Sequence, residues 1–157
     1  MVQGKFISGQ SDLKDILYIR SEVFAKELKI TQECKQDSLD IDAIHAVVYE
    51  GASQLCPIST GRLIIHKNVL TIDKIAVLPD YRGKGYGDFV VRMLLDKAKS
   101  FPIEDIVVNV PKKTTEFFNK VGFHIDENIL VDDGNTLVQM NYIERKGCPA
   151  CQNKRGV

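Results

Sequence analysis

Residues 75–87 read IAVLPDYRGKGYG, and the fold and site of the chain are predicted outward from this stretch. An apolar strand ends before Pro79, and a turn rich in glycine then opens a helix. Alternate glycines at 83, 85 and 87 leave the backbone of the turn accessible. Backbone N–H groups at a helix start lack partners within the helix, and the helix dipole adds partial positive charge. The stretch therefore predicts an anion site for phosphate or pyrophosphate.

The residues around the glycines separate this turn from two other phosphate motifs. Arg82 and Lys84 add positive charge at the rim of the predicted site. A Walker loop needs Ser or Thr after its Gly-Lys pair, whereas this turn continues as Gly-Tyr. A dinucleotide-binding loop would need glycine where Asp88 stands. A turn that only lets helix and sheet pack closely is the alternative.

The segments on either side of the turn predict an α+β (α/β) fold with a mixed sheet. Two strands at 58–66 and 69–77 form a hairpin across Lys67 and Asn68, while helices connect other strands. Hairpins and helical crossovers together predict a mostly antiparallel mixed sheet flanked by helices. The helix after Asp12 should present one mainly apolar face, made by Leu13, Ile16, Leu17, Arg20, Val23, Phe24 and Glu27.

Length and charge restrict the class of protein. The chain has 157 residues, 44% of them hydrophobic, which suits one globular domain. We expect that domain over residues 1–145, followed by a tail over 146–157. Lys plus Arg and Asp plus Glu both number 21, so no net positive charge favours nucleic acid. No apolar run is long enough for a membrane span, and the first ten residues resemble no signal peptide. The expected location is the cytoplasm.

The tail carries the motif CPAC, with Cys148 and Cys151. A structural zinc site needs four ligands, and the tail provides two. Cys34, Cys56, His66 or His124 would have to complete the set. We expect two thiols and no metal, with a zinc site as the alternative.

The glycine-rich stretch resembles the signature of the GNAT superfamily, the Gcn5-related N-acetyltransferases. The string VLPDYRGKGYG at 77–87 is a close match, and FFNKVGF at 117–123 is similar to the family's FYEKLGF. PISTGRL at 57–63 resembles a hairpin strand of the small bacterial ElaA/YjcF-like branch. Asp37, Asp40, Ala43 and His45 match the upstream pattern of that branch in spacing.

The resemblance implies an acyl-CoA N-acyltransferase fold whose fourth and fifth strands splay apart around the pantetheine arm. It implies an enzyme that moves an acetyl group from acetyl-CoA directly to a primary amine of a small molecule or peptide, without a metal. A backbone N–H near Val77 would polarise the thioester carbonyl. The implied cofactor-binding residues are Ile75, Ala76, Val77, Arg82, Gly83, Lys84, Gly85, Tyr86, Gly87, Asn109 and Phe118. Asn109 could equally be a residue that satisfies its own backbone at the strand end.

Three residues are candidates for the base that takes the proton of the amine: Asp73, His45 and Glu27. Family members carry a base at the position of Asp73, which we expect to share an apolar strand face with Thr71, Ile75 and Val77. Such a face would raise its pKa, as suits a base. The alternative is an ordinary paired strand residue. His45 is a second catalytic candidate, and packing is its alternative.

Two loop carboxylates, Asp37 and Asp40, could recognise a cationic acceptor or merely cap the loop. Three positions depart from the family pattern. Phe118 stands where the family has the Tyr that acts as general acid, and Pro111 and Leu137 replace polar residues of the pattern. A catalytically weak acyl-CoA-binding module with a regulatory role is therefore the alternative function, and an unrelated nucleotide binder is a third. The expected partner is an amine acceptor, with neither nucleic acid nor membrane, and a homodimer is left open.

Overall fold

The first five strands of the computed structural model form a sheet, and a hairpin of two more strands follows later in the chain. The structure describes residues 1–132 and 136–143, so the CPAC tail lies outside the described residues. Contacts divide the chain into two compact units, 1–108 and 109–157. The single domain expected over 1–145 stays a prediction.

The first five strands form a mixed sheet in the order β1-β2-β3-β4-β5. Neighbouring strands are antiparallel from β1 to β4, and β5 runs parallel to β4. Lys67 and Asn68 have φ angles of 48° and 60°, which the tight turn between β3 and β4 requires. The predicted α+β class and mostly antiparallel sheet are confirmed. The strands span Val2–Ser8 (β1), Ile44–Glu50 (β2), Cys56–His66 (β3), Val69–Val77 (β4) and Ile106–Pro111 (β5).

Helices cover both faces of this sheet. Helix α1 (Lys14–Arg20) continues into a π-helical segment (Ser21–Glu27), and α2 (Thr31–Cys34) follows. Helix α3 (Tyr86–Ala98) packs on the opposite face. A Cβ added to Gly61 of β3 would lie 2.8 Å from side-chain carbons of both Leu94 and Val90, so only glycine lets α3 approach so closely. The core on the α1 face consists of Leu13, Ile16, Ile19, Val23, Phe24, Val47, Tyr49 and Ala76.

A β-bulge at Lys74 interrupts the alternation of side chains in β4. Arg62 pairs with Asp73 and Thr60 pairs with Ala76, so β4 contributes one residue more than β3 to the same interval. Lys74 takes the left-handed conformation, with φ of 49°. The bulge leaves both Asp73 and Ala76 on the α1 face.

Because of this bulge, the prediction that Asp73 shares a strand face with Ile75 and Val77 is wrong. Ile75 lies on the α3 face, where its Cγ1 is 3.5 Å from the Cβ position of Gly61. Val77 follows Ala76 and therefore also points away from the α1 face. A strict period of two, which the sequence suggests, does not survive the extra residue.

The parallel ladder between β4 and β5 is short. It pairs Leu70, Thr71 and Ile72 with Ile106, Val107 and Val108. Strand β4 continues to Val77, and in the described register these last residues have no partner on β5. This agrees with the expected splay of the two strands. No helix in the described part of the chain is long and apolar enough to cross a membrane.

The second unit holds α4 (Thr115–Val121) and the antiparallel strands β6 (Phe123–Asp132) and β7 (Thr136–Tyr142). The ring of Phe118 packs edge-on against that of Phe123, with centroids 5.9 Å apart. Aromatic packing therefore fixes α4 on the start of β6.

Candidate acyl-CoA site

The glycine turn is built for close approach of a ligand to the backbone. Gly83 and Gly85 have φ angles of 77° and 87°, which side chains disfavour. A Cβ added at either position would meet no atom within 4 Å, so the space beside the turn is open. The helix begins with the bond from the N–H of Phe89 to the oxygen of Gly85, 3.0 Å long. The N–H groups that precede Phe89 in the first turn of α3 therefore have no acceptor within the helix.

Arg82 does not add a free charge to the rim of the turn, contrary to expectation. Its Nη1 and Nη2 donate to the two carboxylate oxygens of Glu27, at 2.6 and 2.5 Å. Its Nε donates to the carbonyl oxygen of Val77 at 3.0 Å. The hydrogen bond to Glu27 raises the pKa of Arg82, and the same bond lowers the pKa of Glu27. Glu27, a candidate base from the sequence, is thus a paired carboxylate.

Tyr86 anchors the first residue of α3. Its hydroxyl donates to Oε1 of Glu50 at 2.7 Å, a bond that raises the pKa of Tyr86. Its ring lies edge-on to that of Tyr81, with centroids 6.4 Å apart, and Nζ of Lys84 lies 5.5 Å from the Tyr81 ring. Lys84 is consequently the cation of the turn that has no carboxylate partner among the described contacts.

The end of β4 offers backbone groups on the side away from β3. The N–H of Leu78 donates to Ile58 of β3 at 2.9 Å. Because successive N–H groups of a strand point in opposite directions, the N–H of Val77 points toward the β5 side. Arg82 occupies the carbonyl of Val77 there, whereas the described contacts give its N–H no acceptor.

A buried ionic cluster lies on the α1 face of the sheet. The guanidinium of Arg20 donates to both oxygens of Asp40, at 3.1 Å each. Arg62 donates to Asp40 at 3.0 Å, and to Asp37 at 2.7 Å. Side chains of Arg20 and Asp40 are fully buried. The cluster therefore links α1, the loop before β2 and the strand β3.

Among the described contacts the charges of this cluster balance. Its cations are Arg20, Arg62 and Lys74, and its anions are Asp37, Asp40 and Asp73. Burial by itself would raise the pKa of Asp40, but hydrogen bonds from Arg20, the backbone N–H of Asp37 and Arg62 outweigh it and lower the pKa to about 2. Burial would lower the pKa of Arg62, but Asp73 and Asp37 raise it above its ordinary value.

Two of the three candidate bases from the sequence, Asp73 and His45, belong to this region. Asp73 faces a guanidinium rather than an apolar surface, because Nε and Nη2 of Arg62 each donate to one of its oxygens at 2.8 Å. Its side chain is 28% exposed. His45 is fully buried, and its Nε2 lies 3.1 Å from the carbonyl oxygen of Asp40. Burial lowers the pKa of His45, which favours the neutral form of the ring.

Two further predicted residues lie in the second unit. Asn109 is exposed, and Phe118 is buried in the aromatic cluster described above. Their contacts with acyl-CoA stay predictions. In the described residues no three His, Cys, Asp or Glu side chains lie close enough together to hold a metal ion.

A cavity of about 680 Å³ opens between α1 and the residues that follow β4. Three carboxylates, Asp15, Glu22 and Asp80, contribute to its wall, and no Lys or Arg does. Its acidic wall would repel phosphates, so the glycine turn is the better anion site.

Sequence reasoning missed the two arginines that organise the cluster. Arg20 interrupts the apolar face of α1, and Arg62 lies within a buried stretch of β3. Charged residues are rarely buried unless they are paired, so each position was a signal for a buried carboxylate partner. The sequence did not reveal which carboxylates these were.

The chain belongs to the GNAT acetyltransferases, because residues 13–144 match the acetyltransferase (GNAT) domain. It is 29% identical over 132 residues to an uncharacterized N-acetyltransferase, YjcF, of Bacillus subtilis (strain 168), which covers 83% of this chain and 92% of the relative. The family resemblance drawn from the sequence is confirmed.

Solved structures agree on the fold. ElaA of Escherichia coli is similar with a TM-score of 0.72 at 15% identity, over 91% of this chain and 100% of that one. The PaiA N-acetyltransferase of Thermoplasma acidophilum, solved in complex with coenzyme A, is similar with a TM-score of 0.65 at 16% identity, over 90% of this chain and 99% of that one. The acyl-CoA N-acyltransferase fold expected from the sequence is confirmed.

Proposed function

We propose that this protein is an acetyl-CoA-dependent N-acetyltransferase that acts on a primary amine of a small molecule or peptide. The observation that carries the proposal is the open glycine turn at the start of α3, next to the unpaired end of β4. A pyrophosphate and a long pantetheine arm need these two features side by side. The complex of PaiA with coenzyme A supports this assignment through the shared fold.

Backbone groups would do most of the binding. The N–H groups from Gly83 to Gly87 would bind the pyrophosphate at the positive end of α3. Residues Ile75–Val77 would pair with the amides of the pantetheine arm, as a strand would. The N–H of Val77 would then donate to the thioester oxygen and stabilise the negative charge that develops there. Asn109 and Phe118 are proposed as further contacts of the arm.

Transfer proceeds in this proposal by direct attack of the amine on the thioester carbon. The carbon–nitrogen bond forms and the carbon–sulfur bond breaks. The nitrogen loses its second proton as the amide forms, and water carries this proton to the thiolate because Phe118 has none to give. Asp73 is the proposed acceptor of the ammonium proton, through a water molecule. Each of its oxygens bonds to Arg62 but keeps a lone pair, and the side chain is partly exposed. His45 is proposed to influence the reaction indirectly, through the cluster, because its buried ring contacts Asp40.

The balanced cluster favours a second candidate, an acyl-CoA-binding module with weak turnover. Arg62 pairs with both oxygens of Asp73, and position 118 carries no phenol. Such a module would bind acetyl-CoA as the enzyme does but release no thiol with any amine.

The location of the protein in the cytoplasm stays a prediction.

Calorimetry and a thiol-release assay test the proposal together. Acetyl-CoA should bind and raise the melting temperature, whereas ATP and NAD should do so far less. A ligand at a hundredfold excess over its Kd stabilises the fold by about 2.7 kcal/mol. Thiol release with members of an amine panel supports the enzyme, and binding without release supports the module. Failure of acetyl-CoA to bind would refute both.

A further inference from the structure

Glu27 is the last residue of the π-helical segment, and it forms an ion pair with Arg82 of the glycine turn. Its two oxygens meet Nη1 and Nη2 of Arg82 in a bidentate pair at 2.6 and 2.5 Å. The third nitrogen of the guanidinium, Nε, donates to the carbonyl of Val77. A planar guanidinium bound at all three nitrogens has its orientation fixed, which a single point contact would not achieve.

We infer that Glu27 is a positioning residue for acyl transfer, acting through Arg82 on the carbonyl-polarising N–H of Val77. This inference rests on the proposed function. Arg82 directly precedes Gly83, so one side chain joins the end of β4 to the turn that would hold the pyrophosphate. The carbonyl and the N–H of Val77 flank the same Cα and point to the same side of the strand, so the bond from Arg82 restrains the backbone at the residue that carries this N–H.

Simple electrostatics predicts a different role for Glu27. A carboxylate near a phosphate site weakens anion binding, so its removal should leave acetyl-CoA affinity unchanged or raise it. A positioning role predicts unchanged affinity together with a less polarised thioester and a slower transfer. Binding and carbonyl polarisation therefore have to be measured separately.

A matched control lies in the same segment. Glu22 also belongs to the π-helical segment and pairs with Lys26 in an exposed contact at 2.5 Å. It makes no described contact with Arg82. Exposed pairs of this kind contribute little to stability because solvent screens them, so Glu22→Ala and Glu27→Ala should cost similar stability.

The test uses acetyl-CoA labelled with ¹³C at the carbonyl, because this readout needs no acceptor. Wild-type protein should shift the carbonyl resonance downfield on binding, as a hydrogen bond to the oxygen does. Glu27→Ala should lose at least half of that shift while the Kd from calorimetry changes less than about threefold. Glu22→Ala should keep the shift. Glu27→Ala with Arg82→Gln should lose no more than either change alone, because both break one contact.

Each other outcome decides against the inference. A full carbonyl shift in Glu27→Ala overturns it while the proposed function stands. Absence of a shift in wild-type protein that binds acetyl-CoA also overturns it, since Val77 would then not polarise the carbonyl. If the wild type does not bind acetyl-CoA, the proposed function fails and the inference fails with it. Once an acceptor is known, Glu27→Ala should lower kcat about tenfold, less than the roughly hundredfold loss on removing an oxyanion donor.

Discussion

Replacing Asp40 by Asn should destabilise the protein strongly, because this carboxylate is the centre of the buried cluster. Asp40 accepts hydrogen bonds from Nη1 and Nη2 of Arg20 and from Nη1 of Arg62, and none of these side chains is more than 2% exposed. The amide keeps the shape of the carboxylate but not its charge. The variant would leave the buried Arg20 without its carboxylate partner and would remove one carboxylate partner of Arg62.

The expected loss follows from two independent lines. Removing one partner of a buried ion pair typically costs about 3–5 kcal/mol. A pKa lowered from 3.8 to about 2 corresponds to about 2 kcal/mol of stability at neutral pH. The larger figure includes the cost of leaving Arg20 uncompensated. For a domain of this size the loss lowers Tm by roughly 6–20 °C.

Urea unfolding followed by circular dichroism measures this loss at several pH values. The pKa of Asp40 is depressed in the folded state, so its contribution is complete above 3.8 and disappears as the pH falls toward about 2. The difference between wild type and Asp40→Asn should therefore narrow over that range. Asp42→Asn, on an exposed residue of the same turn, should change stability by less than about 0.5 kcal/mol. A loss below about 1 kcal/mol in Asp40→Asn at pH 7 would refute the reasoning.

Three further substitutions test the site and the cluster. Gly85→Val should weaken acetyl-CoA binding at least about tenfold by calorimetry, because the new side chain would fill the space through which the pyrophosphate reaches the backbone. The control Asn68→Val strains a remote turn that also has a positive φ and should keep the affinity. His45→Gln should flatten the fall in stability below pH 6.5 in urea titrations, because the lowered pKa of the buried ring makes the unfolded state bind more protons there. Asp73→Asn should cut thiol release about a hundredfold or more at unchanged acetyl-CoA affinity if it accepts the proton, and a wild-type rate would exclude it.

The features that the sequence predicted are local ones. The hairpin turn at Lys67 and Asn68, the end of β4 before Pro79 and the glycine turn all depend on neighbouring residues, and all three were placed correctly. Such signals arise from backbone preferences that act over a few residues. They were enough to locate the candidate anion site within one turn of α3.

The features that the sequence did not reveal depend on distant partners. Glu27 and Arg82 are 55 positions apart, and Arg20 and Asp40 are 20 apart. A charged residue on an apolar face indicates that it needs a partner of opposite charge, but the tertiary fold decides which residue that partner is. The bulge at Lys74 is hidden for a different reason, because a non-glycine residue in the left-handed conformation carries no local marker.

The π-helical winding explains why one segment serves both the cluster and the glycine turn. In an α-helix, residues seven apart lie on the same face, so the sequence placed Glu27 beside Arg20 on the apolar side. The segment instead forms bonds to the fifth residue back, such as that from the N–H of Leu28 to Val23 at 3.0 Å. This wider winding rotates Glu27 away from the face of Arg20, which is why Arg20 is fully buried while Glu27 is 35% exposed and reaches Arg82. A regular α-helix over the same residues would direct both charges into the core, where the carboxylates of the cluster already balance the cations.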